Sequence, residues 1–273
     1  MRKRTKQRTV SDMAEHLVVR GHGAGDPGAG GNGITEAGWI QNPLVVAMQK
    51  YAKLLKKNKV TFYDSSKNMY VETQKGWGAY SVSKNVASVT ELHLDSASSA
   101  ATGGHAIIYN EFNPDKYDLS LAQVINKHVG WWGSVKNTKG INKRNDLLNL
   151  NVLAQRGISY RLLELGFISS KRDTDILKKS YDTVAKELIQ AITGEVISLA
   201  QYYTSKDNGA LFELQKDDYL YNEKDFSNTT RRRVFLPKRT RLYVREFEEY
   251  GSIWRGRTAI GYITANKNYI KKV

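Results

Sequence analysis

The chain has 273 residues and a net charge of +15, from 42 Lys and Arg against 27 Asp and Glu, which is long enough for one sizeable core and a small second domain. It contains no cysteine, so disulfides and thiolate metal ligands are excluded and His, Asp and Glu remain as metal-binding side chains. No apolar run reaches the roughly eighteen residues that a membrane helix requires.

Residues 1–10 carry five basic side chains and no acid, and residues 1–14 read as a basic, solvated tail. No apolar stretch follows, so the start does not read as a secretory signal. Residues 15–20 form an apolar strand pattern that runs into the Gly-rich loop 21–33. From 39 to 57, Ile40, Leu44, Val45, Met48, Tyr51, Ala52 and Leu55 recur at helical spacing and predict one helix. Strands are predicted over 60–63, over 87–92 ending at His93, over 106–109, and over 158–163 ending at Glu164. Helices are predicted over 119–129 and 173–192. Strands alternating with helices predict an α/β domain over 15–193, with a twisted, mainly parallel sheet flanked by helices.

Residues 194–225 are acidic and Tyr-rich without a clear period, and read as a linker, partly helical around 196–203. From 226 onward, short runs of β-branched and aromatic residues alternate with Arg and Lys at 233–236, 241–245, 252–254, 259–263 and 268–270. This predicts a small all-β barrel over 226–273, a segment with twelve basic and three acidic side chains. Basic ends attract polyanions, whether nucleic acid, anionic lipid or a wall polymer, and charge alone does not choose among them.

Four segments supply the parts of a hydrolytic metal centre: His22 in Gly21-His22-Gly23, Glu36, His93 in Leu92-His93-Leu94-Asp95, and Glu164 in Leu163-Glu164-Leu165-Gly166. Such a centre needs three protein ligands, an open position for water, and a carboxylate that moves a proton without binding the metal. Ligands of open α/β sheets gather at the carboxyl ends of the strands, where His22, His93 and Glu164 all fall. A lone histidine is more often structural than a ligand, and His16 and His128 are read that way. Asp26 could orient a ligating histidine, and His105, after Gly103-Gly104, is placed near substrate.

Two competing patterns are weaker. Gly23-Ala24-Gly25-Asp26-Pro27-Gly28 matches a dinucleotide fingerprint, but Asp26 repels a pyrophosphate, Pro27 removes an amide donor, and the ribose-binding acid is missing. Arg231-Arg232-Arg233 and the aromatic residues near them could bind a nucleic acid, a reading set below a hydrolase on the same chain.

Val18-Val19-Arg20-Gly21-His22-Gly23, then Asp26-Pro27-Gly28-Ala29, Gly33 and Glu36, resemble the opening motif of zinc-dependent N-acetylmuramoyl-L-alanine amidases. His93 resembles that family's second ligating histidine, and Leu163-Glu164-Leu165-Gly166-Phe167-Ile168-Ser169 its catalytic Glu-Gly-Phe segment. The resemblance covers about 15–193, and the motifs stand in the family's order. It implies that His22, Glu36 and His93 bind Zn2+, that Glu164 is the general acid and base, and that Arg144, in the loop before the last strand, assists. Asp95 stands where the family usually has Asn, which bears on substrate contact along with Asp26 and His105.

The C-terminal segment resembles bacterial Src-homology-3-like wall-binding barrels, with Trp254, Tyr243, Tyr262 and Tyr269 as the expected wall contacts. Together the two resemblances are similar to bacteriophage endolysins. They imply a peptidoglycan substrate, made accessible to an enzyme synthesised in the host cytoplasm, with anionic wall polymers as a further partner. Neither nucleic acid nor an obligate protein partner is expected. A zinc carboxypeptidase acting on stem peptides, or a cellular autolysin, is the alternative.

Overall fold

A computed structural model describes residues 13–197, 201–226, 232–251 and 253–273. Most of the expected basic tail (residues 1–12), part of the expected helix around 196–203 (residues 198–200) and Arg231 lie outside the described residues. The chain divides into two units, 1–197 and 198–273.

In the first unit, β1 (Ala14–Arg20) leads into the Gly-rich loop, where β2 (Gly30–Gly31) and β3 (Ile34–Thr35) form a small hairpin. Two short helices follow, α1 (Glu36–Trp39) and α2 (Val46–Ala52), then β4 (Asn58–Phe62) and α3 (Met69–Gln74). After these come β5 (Ser88–Asp95), β6 (His105–Tyr109), α4 (Lys116–His128), β7 (Ile141–Arg144), α5 (Leu148–Gln155), β8 (Tyr160–Phe167) and α6 (Lys171–Thr193).

The six-stranded sheet has the order β4-β1-β5-β8-β6-β7. All of its pairings are parallel except β6 with β8. Alternation along the strands gives each face its own core. Leu92, Leu94, Leu163 and Leu165 pack with residues of α2, α4 and α6 on one face. Val89, Tyr160 and Leu162 pack with Met69 of α3 and with Leu150 and Leu153 of α5 on the other.

The expected single helix over 39–57 is interrupted. Pro43 sits inside it, and Asn42 before it takes the extended conformation (φ −144°, ψ 112°) that a following proline imposes. The helix re-forms only as α2. Strands also run further than expected: His93 and Glu164 lie inside β5 and β8, whose ladder continues to Asp95 opposite Phe167. Arg144 is the last residue of β7 and not part of a loop.

In the second unit, β9 (Ala210–Leu214), β10 (Asp218–Tyr221), β11 (Arg232–Leu236), β12 (Arg241–Val244), β13 (Glu246–Tyr250), β14 (Ile253–Arg257), β15 (Tyr262–Thr264) and β16 (Ile270–Lys272) are all antiparallel. They form a five-stranded sheet, β11-β10-β15-β14-β13, and a three-stranded sheet, β12-β9-β16. Phe212, Leu214, Leu220, Val244, Phe247 and Ile263 are among the residues of their shared core.

The linker expected over 194–225 is thereby corrected, because β9 and β10 lie within it. These strands are only five and four residues long and are flanked by Lys206, Asp207, Lys216, Asp217, Glu223 and Lys224, so they look polar when averaged over a window. Tyr202, where a helical turn was expected, instead bridges to Asn266. A fragment of residues 226–273 lacks Phe212, Leu214 and Leu220 and is expected to be unfolded, whereas 198–273 is expected to fold. Amide dispersion in NMR spectra of the two fragments checks this.

Candidate metal centre and active site

β1 ends at Arg20, and the chain turns at once through His22, whose φ of 62° lies in the left-handed region. Gly21 is required here by space: a Cβ on it would meet the His93 ring at 2.4 Å. Gly28 is required similarly, since its Cβ would fall 2.7 Å from His22 Cδ2 and 2.8 Å from Glu36 Oε2. The loop's glycines thus let backbone approach the cluster of functional side chains.

Glu36 opens α1 and is 3% exposed. Its Oε2 lies 3.1 Å from His22 Nε2, and its Oε1 lies 2.8 Å from His93 Nδ1. Backbone amides of Leu94 (2.9 Å, to Oε1) and Ala29 (3.3 Å, to Oε2) also donate to this carboxylate. Burial opposes ionisation, yet the hydrogen bonds from His22 and His93 hold Glu36 down to about 2.

His22, Glu36 and His93 are the residues expected to bind metal, and one ligand atom from each lies within 4.8 Å of the others. Two imidazole nitrogens and a carboxylate oxygen around one point form the ligand set of a catalytic zinc site, so the residues present fit such an ion. The remaining nitrogen of each ring meets a carboxylate. His22 Nδ1 donates to Asp26 Oδ2 (2.8 Å), which also accepts from Asn68 Nδ2 (3.2 Å). His93 Nε2 donates to Glu91 Oε1 (3.0 Å).

Glu164 stands directly opposite His93 across the β5–β8 ladder and opposite His105 across the β6–β8 ladder. Its Oε2 is buried without a hydrogen-bond partner among the described residues. Burial pushes this carboxyl up to about 8 against the pull of His93, and the charges of Asp95 and Glu36 push it the same way. Among the described residues it lies outside the cluster of possible metal ligands.

His105 is 2% exposed, faces Trp132 at 5.2 Å between ring centroids, and is lowered to about 4 by burial and by the charge of Arg144. It is therefore a neutral neighbour of Glu164. Asp95 is raised by burial. Arg144 donates to Asp146 through Nε (2.8 Å) and Nη2 (2.7 Å), and its charge acts on Asp95, His105 and Glu164.

Glu91, Asn149 and Tyr160 escaped the sequence reading. The signal was present in Glu91-Leu92-His93, where a carboxylate two residues before a histidine shares its strand face. These residues line a cavity of about 410 Å³ that also touches His22, Asp26 and His93. A cleft of about 530 Å³ along Glu15, Thr61, Asp64 and Trp77 is larger, but it holds none of the cluster, so size alone does not mark the site.

Of the expected wall-contact aromatics, Tyr243 is 56% exposed. Trp254 and Tyr269 are half-buried and pack on the core of the second unit, and Tyr262 is half-buried with its hydroxyl 3.5 Å from Glu248. Tyr243 stands on the three-stranded sheet and Trp254 and Tyr262 on the five-stranded one, so the four do not share one sheet.

With this geometry in place, residues 17–194 match the family described as N-acetylmuramoyl-L-alanine amidase. The chain belongs to that amidase family. Residues 202–270 match a domain of unknown function, DUF5776. Over 204 residues the chain is 39% identical to "Probable autolysin PH" of Staphylococcus aureus, covering 70% of this chain and 41% of that protein. It therefore spans about two fifths of that relative's length.

Among solved structures, the catalytic domain of the CD27L endolysin targeting Clostridia difficile has a TM-score of 0.52 at 17% identity, over 68% of this chain and 99% of that one. The amidase Ami1 of Mycobacterium smegmatis has a TM-score of 0.52 at 12% identity, over 66% and 95%. At these identities the likeness speaks for the fold: a mixed sheet flanked by helices.

The raised Glu164 has a consequence for the stability of the metal-free chain. Below about pH 4.5 this carboxyl is protonated whether the chain is folded or unfolded. Between there and about 8 only the unfolded chain ionises it, so its contribution to stability is lost as pH rises. Glu164→Gln removes that loss, and the variant should exceed wild type in stability by a few kcal/mol above pH 8 while matching it near pH 4. Urea midpoints of the two proteins at both pH values, measured with a chelator present, check the sign.

Proposed function

We propose that residues 17–194 cleave the amide between the lactyl carbonyl of N-acetylmuramic acid and the amino group of L-alanine in peptidoglycan, with Zn2+ held by His22, Glu36 and His93. The observation that carries this reading is a two-His, one-carboxylate cluster beside a buried glutamate, one oxygen of which has no hydrogen-bond partner among the described residues, in a chain of the amidase family. Zinc in such a ligand set supplies Lewis-acid activation of water and of the scissile carbonyl.

The chain's own residues do the rest. Glu164 takes a proton from the attacking water and returns it to the departing amine. Burial raises this carboxyl in the metal-free chain, and the positive charge of an ion held by His22, Glu36 and His93 would favour the ionised form that a base requires. Glu36 stays ionised because two imidazoles and two amides hold its charge. Asp26 and Glu91 keep the histidine rings turned toward Glu36. Arg144 uses two of its guanidinium nitrogens on Asp146, and Nη1 is the donor we assign to the developing oxyanion.

In this proposal the second unit holds the enzyme on the wall, as an Src-homology-3-like module would, through exposed aromatic side chains such as Tyr243 and Phe235 and through its positive charge. We propose a lytic role of the endolysin type, the chain being made in a host cytoplasm and acting on the bacterial wall. The likeness to a protein named a probable autolysin favours wall turnover as the second reading.

His22→Ala, Glu36→Ala and His93→Ala should each lose bound zinc and wall lysis, as metal analysis of the purified variants will read. Glu164→Gln should keep its zinc while kcat falls about 10²-fold or more with little change in KM. Mass analysis of digested peptidoglycan should find new N-terminal alanine. Release of a single C-terminal amino acid would make the enzyme a carboxypeptidase instead. A fluorescent fusion of residues 198–273 should label bacterial walls that the full chain degrades, and its binding should weaken as salt rises. A fusion that labels none of them rejects the targeting role.

A further inference from the structure

Glu91 is a buried carboxylate on the central strand β5, 5% exposed, on the face whose neighbours include Val89 and Leu162. Placing a charge there costs several kcal/mol unless it is fully paired. Every contact around it serves that pairing. Oε1 accepts from His93 Nε2 at 3.0 Å, while Oε2 accepts from Tyr160 Oη at 2.8 Å and from Asn149 Nδ2 at 3.0 Å. Asn149 Oδ1 in turn lies 2.8 Å from the hydroxyl of Thr73, which accepts from the Ala79 amide. The carboxylate is anchored on both oxygens and cannot rotate away from His93.

We infer that Glu91 is the positioning residue of the metal centre: by accepting from His93 Nε2–H it fixes the ring so that Nδ1 is the nitrogen offered to the ion. The inference rests on reading His22, Glu36 and His93 as metal ligands. Both ring nitrogens face carboxylates, which only accept: Nδ1 faces Glu36 and Nε2 faces Glu91. Of these two carboxylates only Glu36 belongs to the ligand set, so an ion held there would replace the hydrogen on Nδ1, while the one on Nε2 stays with Glu91. Nδ1 lies 2.8 Å from Glu36 Oε1, inside the ligand set.

His22 is arranged with the opposite nitrogen: Nδ1 faces Asp26, and Nε2 faces Glu36. The two supports differ in rigidity. Asp26 is 45% exposed, whereas Glu91 is held by residues of β8 and α5 and, through Thr73, by α3. The face that packs α3 and α5 therefore also sets the orientation of one metal ligand.

The test measures zinc directly. In the zinc-loaded full chain with ¹⁵N-labelled histidine, ring spectra should show His93 bound through Nδ1 with Nε2 protonated, and His22 bound through Nε2. Chelator competition should show zinc affinity falling roughly 10–100-fold in Glu91→Gln, the usual cost of losing such a support, and by less in Tyr160→Phe, which leaves the Glu91–His93 bond in place. The absorption of the cobalt-substituted protein should shift in Glu91→Gln, because His93 is no longer held in one orientation.

Zinc on His93 Nε2 in the wild type, or unchanged zinc affinity in a folded Glu91→Gln, overturns the inference. If Glu91→Gln does not fold, the wild-type ring spectrum and Tyr160→Phe decide. Failure of the wild-type chain to bind zinc removes the metal reading, and this inference with it. Zinc bound through the other nitrogen sinks this inference alone.

Discussion

The pairing of β5 with β8 is the constraint on which the site depends. Parallel strands place paired residues on the same face, so His93 opposite Glu164 puts a ligand candidate and the proposed proton carrier side by side. One residue's slip in that ladder would send Glu164 to the opposite face, among the apolar residues that pack on α4 and α6. The apolar alternation of Leu92, Leu94, Leu163 and Leu165 prevents the slip, because it buries the same four side chains only in this register. The ladder then shifts between His93 and Asp95, where β8 carries an additional residue, and such irregularities are common beside active sites.

Electrostatics at this edge follow from unequal environments for like groups. Glu36 and Glu164 are both largely removed from water, yet one is held near 2 and the other raised to about 8. The difference is hydrogen bonding. Glu36 receives donors on both oxygens, while Glu164 has one oxygen with no partner and negative neighbours at Asp95 and Glu36. Environments that separate two carboxyl groups in this way fit them for different roles, and it is on this difference that the proposal casts Glu164 as the proton carrier. The same edge gathers Glu91 and Asp95 as well, so the site has an excess of acid that a cation would balance.

The second unit has its own economy. Two small antiparallel sheets share a core of few residues, and aromatic rings supply much of it: Phe212 with Phe247, and Tyr203 with both. That use of Tyr and Phe leaves fewer rings for outside contacts than their number in the sequence suggests. Arg255 stacks on Phe226, which itself stacks on Tyr221, so a basic side chain is also committed inside the unit.

What the sequence determined by itself was local and chemical. Apolar runs at period two and at helical spacing marked β1, β4, β5, β6, β8, α4 and α6. The motifs around His22, Glu36, His93 and Glu164 named residues that the fold brings to one edge. Such signals are legible because a strand buried on both faces, or a glycine beside a ligand, constrains its own residue types. Interactions between distant segments were left to the tertiary structure. Pro43 broke a helix whose apolar pattern ran on past it, and the short, charged strands β9 and β10 became strands only by burying Phe212, Leu214 and Leu220 in a shared core. Only the tertiary structure could show that Glu91, Asn149 and Tyr160 meet behind His93. Each looks ordinary in its own stretch of chain, and a hydrogen bond between residues 58 or 69 positions apart leaves no periodic trace in the sequence.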